Sequence, residues 1–538
     1  MPLQAPEPMN RHVIAAIGLV AASFCYYFLS SFISCRRHAR RARALGCLPT
    51  TQRPHRFPLG LDLVWALIQA DRDHIVPTHL LDVYHELGDK ATWVQNAFGS
   101  TAYFTADPLN IKALLATQFQ DFELGSQRRG TFFPMLGNGI FTADGKAWEH
   151  SRALLRPQFA RQQVADLQLE EAHVQDLFRH LPAGDGGWTE CVDLVPLFFR
   201  LTLDSATEFL FGQSVGSQIA ALPSHESKSQ VVGSLDWSSF GLAFDLGTKA
   251  LGERGRLADL YFLYNPKYFR ESCKAVHKFA DYYVNLALTN DTSPTGAEHK
   301  DTGKEWEKDR YIFLNELLKH TRDPIELRSQ LLNILLAGRD TTAGLLGFTF
   351  LLLARHPDIY KKLRAVIVND FGSYQRPKNL TFESLKACTY LHHILSETLR
   401  LCPMVPFNSR QATKDTTIAR GGGSDGNSPV YIKKGEEVNY SVHIMHHRAD
   451  IWGPDVEKFK PDRWIGRKPG WEFLPFNGGP RICLGQQFAL TEAAYVVVRM
   501  LQRYDRIQTN ETDPIMRYQY SLTTSPLKVP VRLHEAVV

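Results

Sequence analysis

The ten residues from Phe476 read FNGGPRICLG, and one cysteine, Cys483, follows Arg481 by two positions in this glycine-rich bend. A thiol there can be a metal ligand, a nucleophile, half of a disulfide, or an inert core residue. The pattern after Gly485 is helical, and a thiolate just ahead of a helix N-terminus is stabilised by backbone N–H groups and the helix dipole. Gly478, Gly479 and Gly485 leave room for the backbone to approach a large flat group. Phe476 can pack beside the sulfur, and Arg481 suits an anionic substituent on the same group. A metal held by one thiolate beside an anion, with no other protein ligand nearby, points to a haem. A buried, inert cysteine is the alternative that the loop alone leaves open.

The other cysteines do not help this one. The chain of 538 residues has eight, scattered and with no CxxC pair, which argues against a disulfide scaffold and against a structural zinc site. Reduced thiols in a cytosolic setting are the simpler expectation. Net charge is +5, but residues 34–56 alone carry seven arginines and no acid, so the rest is slightly acidic. The basic character is a local patch and gives no case for nucleic-acid binding by the body of the protein.

Residues 13–33, VIAAIGLVAASFCYYFLSSFI, form an uncharged run of 21 residues, long enough to cross a bilayer as a helix. The arginines follow the run, as in a stop-transfer anchor, whereas a cleaved signal peptide has them in front. The positive-inside rule places them, and everything after them, on the cytoplasmic side. The expected layout is a short lumenal end at 1–12, an anchor at 13–33, a basic linker at 34–56 and one large domain at 57–538. A second apolar stretch, 331–354, contains Arg339 and Asp340 near its middle, which reads as a buried helix of the soluble body.

The class read from periodicity is mainly α with a minor β part. Helical patterns cover 326–355, 384–400 and 490–501; surface loops are expected at 214–238 and 289–309. Residues 429–434 and 437–442 read as a β-pair around Lys434-Gly435.

The Cys483 stretch resembles the haem-binding loop of cytochromes P-450, Phe-x-x-Gly-x-Arg-x-Cys-x-Gly, at every fixed position: Phe476, Gly479, Arg481, Cys483 and Gly485. Glu397-Thr398-Leu399-Arg400 is similar to the family's Glu-x-x-Arg motif. Pro461-Asp462-Arg463-Trp464 resembles its Pro-Glu-Arg-Phe segment with two substitutions that keep the arginine. The resemblance implies that Glu397, Arg400 and Arg463 form a buried structural ion network. Ala337-Gly338-Arg339-Asp340-Thr341-Thr342 resembles the family's oxygen-groove signature. A glycine beside a hydroxyl can open a helix's hydrogen-bond ladder, and Thr bonds back to the i−4 carbonyl. The resemblance then implies that Thr341 hydrogen-bonds the oxygen being activated and that Asp340 relays protons. Trp148 and Arg152, at i and i+4 on one helix face, resemble the pair that donates to the haem propionates, and Arg410 resembles a further propionate contact.

What the resemblance implies is a monooxygenase with the cytochrome P-450 fold and a single-pass anchor, carrying haem b ligated by Cys483 and using O2. Neither a flavin-binding nor a dinucleotide-binding fingerprint occurs in the chain. NADPH is therefore expected to act through a separate membrane-bound partner, NADPH-cytochrome P-450 reductase, at the endoplasmic reticulum. From about residue 45 onward the chain looks very like the fungal alkane- and fatty-acid-hydroxylating family of cytochromes P-450. That likeness rests on segments such as FFRLTLDSATEFLFGQSV and PVYIKKGEEVNYSVHIMHHRADIWGPD. It implies terminal hydroxylation of n-alkanes or long-chain fatty acids, with Phe132, Phe133, Leu136, Val405 and Phe407 as candidate apolar substrate contacts. A tailoring oxygenase of a secondary-metabolite pathway on the same scaffold is the alternative. A non-enzymatic, membrane-anchored metal-binding protein using His443, His446 and His447 is a third.

Overall fold

The computed structural model describes residues 11–97, 100–159, 166–223, 231–232, 235–291, 311–511 and 513–537. The first ten residues of the expected lumenal end, and most of the polar stretch at 289–309, lie outside the described residues.

The chain opens with a helix of 34 residues, Arg11–Ala44. Among the described residues it is the one helix long and apolar enough to cross a membrane, and that apolar part is not buried in the protein. The basic segment read as a linker is helical as far as Ala44. Its alanines and arginines favour helix, and no glycine interrupts it until Gly46, whose positive φ of 69° ends the turn. The end of the helix is tied to the body: Arg41 Nη1 donates to Asp415 Oδ2 at 3.0 Å, and His38 Nδ1 lies 3.1 Å from the Tyr431 hydroxyl.

The body is built around the helix Pro324–Arg355. Asp323 caps it by accepting from Ile325 N at 2.9 Å, Pro324 sits at its first position, and Pro357 follows its end. Being apolar almost all round, it lies buried, as such helices must. In its C-terminal half Leu345, Leu346, Phe348 and Phe350 belong to one core with Phe198, Leu395 and Val496, while in its N-terminal half Leu331 and Leu335 belong to another with Leu136, Leu154 and Phe209. The pattern read at 384–400 divides into Phe382–Ala387 and Thr389–Leu401, and that read at 490–501 extends to Gln486–Arg503. The loop expected at 214–238 holds a short helix, Ser217–Ala220.

The β part is a six-stranded sheet in the order Thr51–Gln52, Thr92–Ala97, Ser100–Thr105, Glu437–Ser441, Phe407–Ala412, Phe122–Glu123, with smaller pairs beside it. The pair expected around Lys434-Gly435 does not form. Ser428–Ile432 pairs with Thr416–Gly422, and Glu437–Ser441 lies between Ser100–Thr105 and Phe407–Ala412. The turn is present, but the first strand closes a hairpin with the segment just before it, and the second fills the space between two strands of the larger sheet. This register sets Arg410 opposite Val438, which brings the arginine to the site described next.

Candidate active site

Cys483 stands three residues before the helix Gln486–Arg503, and its amide donates to Phe476 O at 3.0 Å, closing the loop on itself. Two of the three glycines are demanded by protein contacts. Gly479 has φ +67°, and a Cβ there would lie 1.9 Å from Leu115 O; a Cβ on Gly478 would meet the Trp471 ring at 2.8 Å. The flat-group argument therefore applies only to Gly485, whose Cβ would meet nothing closer than 3.6 Å. Cys483 is exposed, yet burial dominates its ionisation and pushes the thiol up, opposed by the Gly485 N–H and by Arg152. The sulfur thus faces an open space inside the protein rather than its outer surface.

Four guanidinium groups converge on this region. Arg152 Nη1 donates to Ile482 O at 3.1 Å, and Arg481 Nη2 donates to Asp144 Oδ1 at 2.6 Å with its guanidinium 4.4 Å from the Trp148 ring centre. Arg410, 2% exposed, and Arg128 both donate to Asn408 Oδ1, at 3.3 and 2.6 Å. Burial and the neighbouring cations push Arg481 down to about 9, against the pull of Asp144. Burial, with Arg410 beside it, pushes Arg128 down to about 10. Among the described residues three buried donors here have no partner: Trp148 Nε1, Arg128 Nε and Arg410 Nε. Unpartnered buried donors and uncompensated cations are costly unless an anion meets them. One thiol, four guanidinium groups and an indole N–H match the iron and the two carboxylates of a haem. Arg128 and Asp144 are parts that motif reading missed. The only local signal was the Arg128-Arg129 doublet, one helical turn before Phe132 and Phe133.

On the long helix, Thr341 Oγ1 donates to Ala337 O at 2.7 Å, and a Cβ on Gly338 would meet nothing within 4 Å. The Ala337 carbonyl is therefore bonded by a side chain of its own helix, with open space beside Gly338. Asp340 is buried, and burial raises its carboxyl to about 6, with Arg339 opposing. Arg339 lies 3.3 Å from Asp340 Oδ1 and also pairs with Asp245 on the helix Trp237–Arg256. Arg339 thus links the buried Asp340 to the half-exposed Asp245, a pairing the sequence did not reveal.

Of the candidate substrate contacts, Phe132 and Leu136 are buried, whereas Phe133 is 46% exposed and stands beside Arg129. Phe133 is thereby turned away from the interior. Asn333 Nδ2 donates to Leu136 O at 3.0 Å, fixing residues 132–136 one turn below Ala337. Met404 Sδ would lie 2.8 Å from a Cβ on Gly344, fixing residues 404–407, Val405 and Phe407 among them, one turn above Thr341. The Phe407 and Tyr520 rings meet edge to face at 6.4 Å.

Glu397, Arg400 and Arg463 come together. Arg400 donates twice to Glu397, both at 2.9 Å, and both side chains are 0% exposed. Arg463 Nε donates to Glu397 Oε1 at 3.3 Å and its Nη1 to Asp455 Oδ1 at 2.7 Å. Trp464, a departure from the family pattern, adds an indole donor to Glu397 Oε2 at 3.0 Å. His443, His446 and His447 lie buried on and just after a short helix, Val442–His446, in place of the expected strand-to-loop region. Among the described residues no group of three or more His, Cys, Asp or Glu is placed to hold a metal ion.

The profile of the cytochrome P450 family matches residues 54–531. The chain belongs to the cytochrome P450 family. It is 50% identical over 510 residues to cytochrome P450 monooxygenase g430 of Fusarium sp, covering 94% of this chain and 88% of the relative. It is 48% identical over 461 residues to cytochrome P450 52A13 of Debaryomyces hansenii, covering 85% of each. It is 42% identical over 520 residues to cytochrome P450 monooxygenase alt2 of Alternaria solani, covering 94% of each. This cytochrome P450 is therefore a monooxygenase that uses cysteine-ligated haem iron, O2, electrons from a reductase and a lipophilic substrate. Its N-terminal apolar helix is consistent with a membrane anchor.

Proposed function

We propose that this protein hydroxylates the terminal or near-terminal carbon of n-alkanes or long-chain fatty acids. Its expected setting is the endoplasmic reticulum membrane, with residues 57–538 as the cytosolic catalytic domain and NADPH-cytochrome P450 reductase as electron donor. One observation carries the substrate class: the helix turn with Asp340 and Thr341 lies between the contacts of two wholly apolar segments. Residues 132–136 and 404–407 flank the Asp340–Thr341 turn from below and above, and neither contains a charged or polar side chain. Such walls suit an alkyl chain that makes no directional contacts. The likeness of the sequence to the alkane- and fatty-acid-hydroxylating family supports the same reading.

Cys483 supplies the thiolate ligand, and Trp148, Arg128, Arg152, Arg410 and Arg481 meet the propionates, while Phe476 holds the loop around the sulfur. Bound there, the haem supplies the oxygen activation by which one oxygen atom enters a C–H bond. Asp340, poised near 6, holds a proton and gives it up at neutral pH, and the Thr341 hydroxyl passes it into the groove. Arg339 and Asp245 govern how that proton is replaced from solvent.

Turnover of long-chain fatty acids and n-alkanes with a microsomal reductase and NADPH tests the reading. Hydroxy products at or near the chain end are expected. No hydroxy product from either class, with the thiolate-haem absorption intact, would overturn the substrate class and leave the tailoring reaction. Thr341→Ala should keep that absorption and divert oxygen consumption from product to peroxide.

A further inference from the structure

The Glu397–Arg400 network lies behind the Cys483 loop, and one side chain joins the two. Arg400 Nη1 donates to His446 O at 3.0 Å, and the His446 ring returns the contact through Nδ1, 3.2 Å from Arg400 O. At the far side of the same ring, Leu474 N donates to Nε2 at 3.0 Å. These partners fix the tautomer. A backbone amide can only donate, so Nε2 accepts; a carbonyl can only accept, so Nδ1 carries the hydrogen. His446 is 0% exposed, with its ring 5.1 Å from that of Phe473.

Leu474 begins the turn that carries the cysteine. Asn477 N donates to Leu474 O at 3.2 Å, and Asn477, at φ 61°, donates through Nδ2 to Arg481 O at 3.3 Å. The Phe476–Cys483 backbone bond then closes the loop. Tyr440, from the strand that leads into the His446 helix, donates to Asn477 Oδ1 at 3.1 Å. Two side chains from one short segment therefore set where the loop begins and how it turns.

We infer that His446 is a positioning residue, the strut through which the Glu397–Arg400 lock sets the Cys483 loop so that a thiolate is presented to the haem. The inference rests on Cys483 as the ligand, and on a reciprocal pair of bonds that no surface histidine would make. A protonated ring would lose the acceptor for Leu474, in keeping with a side chain that burial, His447 and Arg400 hold well below its ordinary ionisation range.

The test compares His446→Phe with His446→Gln in the full-length holoprotein. Phe fills the space and makes neither bond; the Gln amide can donate to Arg400 O and accept from Leu474 N. In His446→Phe, amide exchange at Leu474 should accelerate. The ratio of thiolate to thiol ligation in the CO complex should fall about tenfold, the loss of the buried bond that holds Leu474. The reduction potential should shift with it, and His446→Gln should restore all three. A lower melting temperature in His446→Phe, with exchange, ligation ratio and potential of the surviving holoprotein unchanged, would overturn the inference. If His446→Phe does not fold, His446→Gln against His446→Asn carries the test. The shorter amide cannot span both partners, so equal ligation ratios in the two would overturn it. Leu474 exchange does not depend on which residue ligates the iron, so a failure of Cys483 as ligand would show as a missing thiolate band in the wild type and not as an exchange result.

Discussion

Two clusters of buried charge lie on either side of the Cys483 loop, and they are built in opposite ways. Around Glu397 the account closes. The carboxylate accepts from Arg400 twice, from Arg463, from the Trp464 indole and from the Lys460 amide, and Arg463 has a second carboxylate in Asp455. Around Arg481 it does not. Of that cluster's four guanidinium groups only Arg481 bonds a carboxylate, Asp144, and among the described residues three buried donors have no acceptor. A saturated cluster is a lock and needs no ligand. An unsaturated, mainly cationic one is a receptor for anionic groups.

The comparison predicts unequal responses to substitution. Glu397→Ala leaves Arg400 buried without its counter-ion, and such a loss costs about 3–5 kcal/mol. Denaturant unfolding should show a correspondingly lower midpoint, with little holoprotein recovered. The next effect is on acid stability. His443 and His446 are held well below, and His447 at about 4, chiefly because burial disfavours the charged ring. The unfolded chain therefore binds protons first. Stability should be level above pH 7 and fall as pH drops below about 6.5, each ring subtracting about 1.4 kcal/mol per pH unit until its own folded value is reached. The denaturant midpoint measured against pH checks this; a flat profile between pH 7 and 5 would contradict it.

The other cluster should respond with the opposite sign. Arg128→Met removes a cation that burial and Arg410 disfavour, so the haem-free protein should keep or raise its melting temperature. The same change removes a charged donor to the propionates, and haem release to an acceptor protein should quicken about tenfold. Equal destabilisation by Arg128→Met and Glu397→Ala would erase the distinction. The smallest effect is Trp464→Phe, which removes one donor from a carboxylate that keeps four others and should cost about 1 kcal/mol.

The sequence made some of this legible and hid the rest for a physical reason. Cys483 with Arg481, Glu397 with Arg400, and Trp148 with Arg152 are close along the chain, so one loop or one helix face carries each signal. The partners that give these groups their character come from far away: Asp144 meets Arg481 across 337 positions, and Asp245 meets Arg339 across 94. Strand pairing is hidden differently: Val430 lies opposite Ile418 and Val438 opposite Arg410, and alternation alone does not rank these pairings above the shorter one around Lys434-Gly435. That residues 34–44 are helical is not legible either, because a charge run looks solvated whether or not it is helical. His446 was read only as a weak metal ligand, since its two bonds are to backbone and leave no trace in composition.

The central claim is that the mainly cationic cluster holds a haem through Cys483. The CO-difference spectrum of the reduced full-length protein, beside that of Cys483→Ala, tests it most directly. A thiolate-haem band in the wild type and none in the variant is the predicted result; folded, haem-loaded wild type without that band, or a variant that keeps it, would contradict the account.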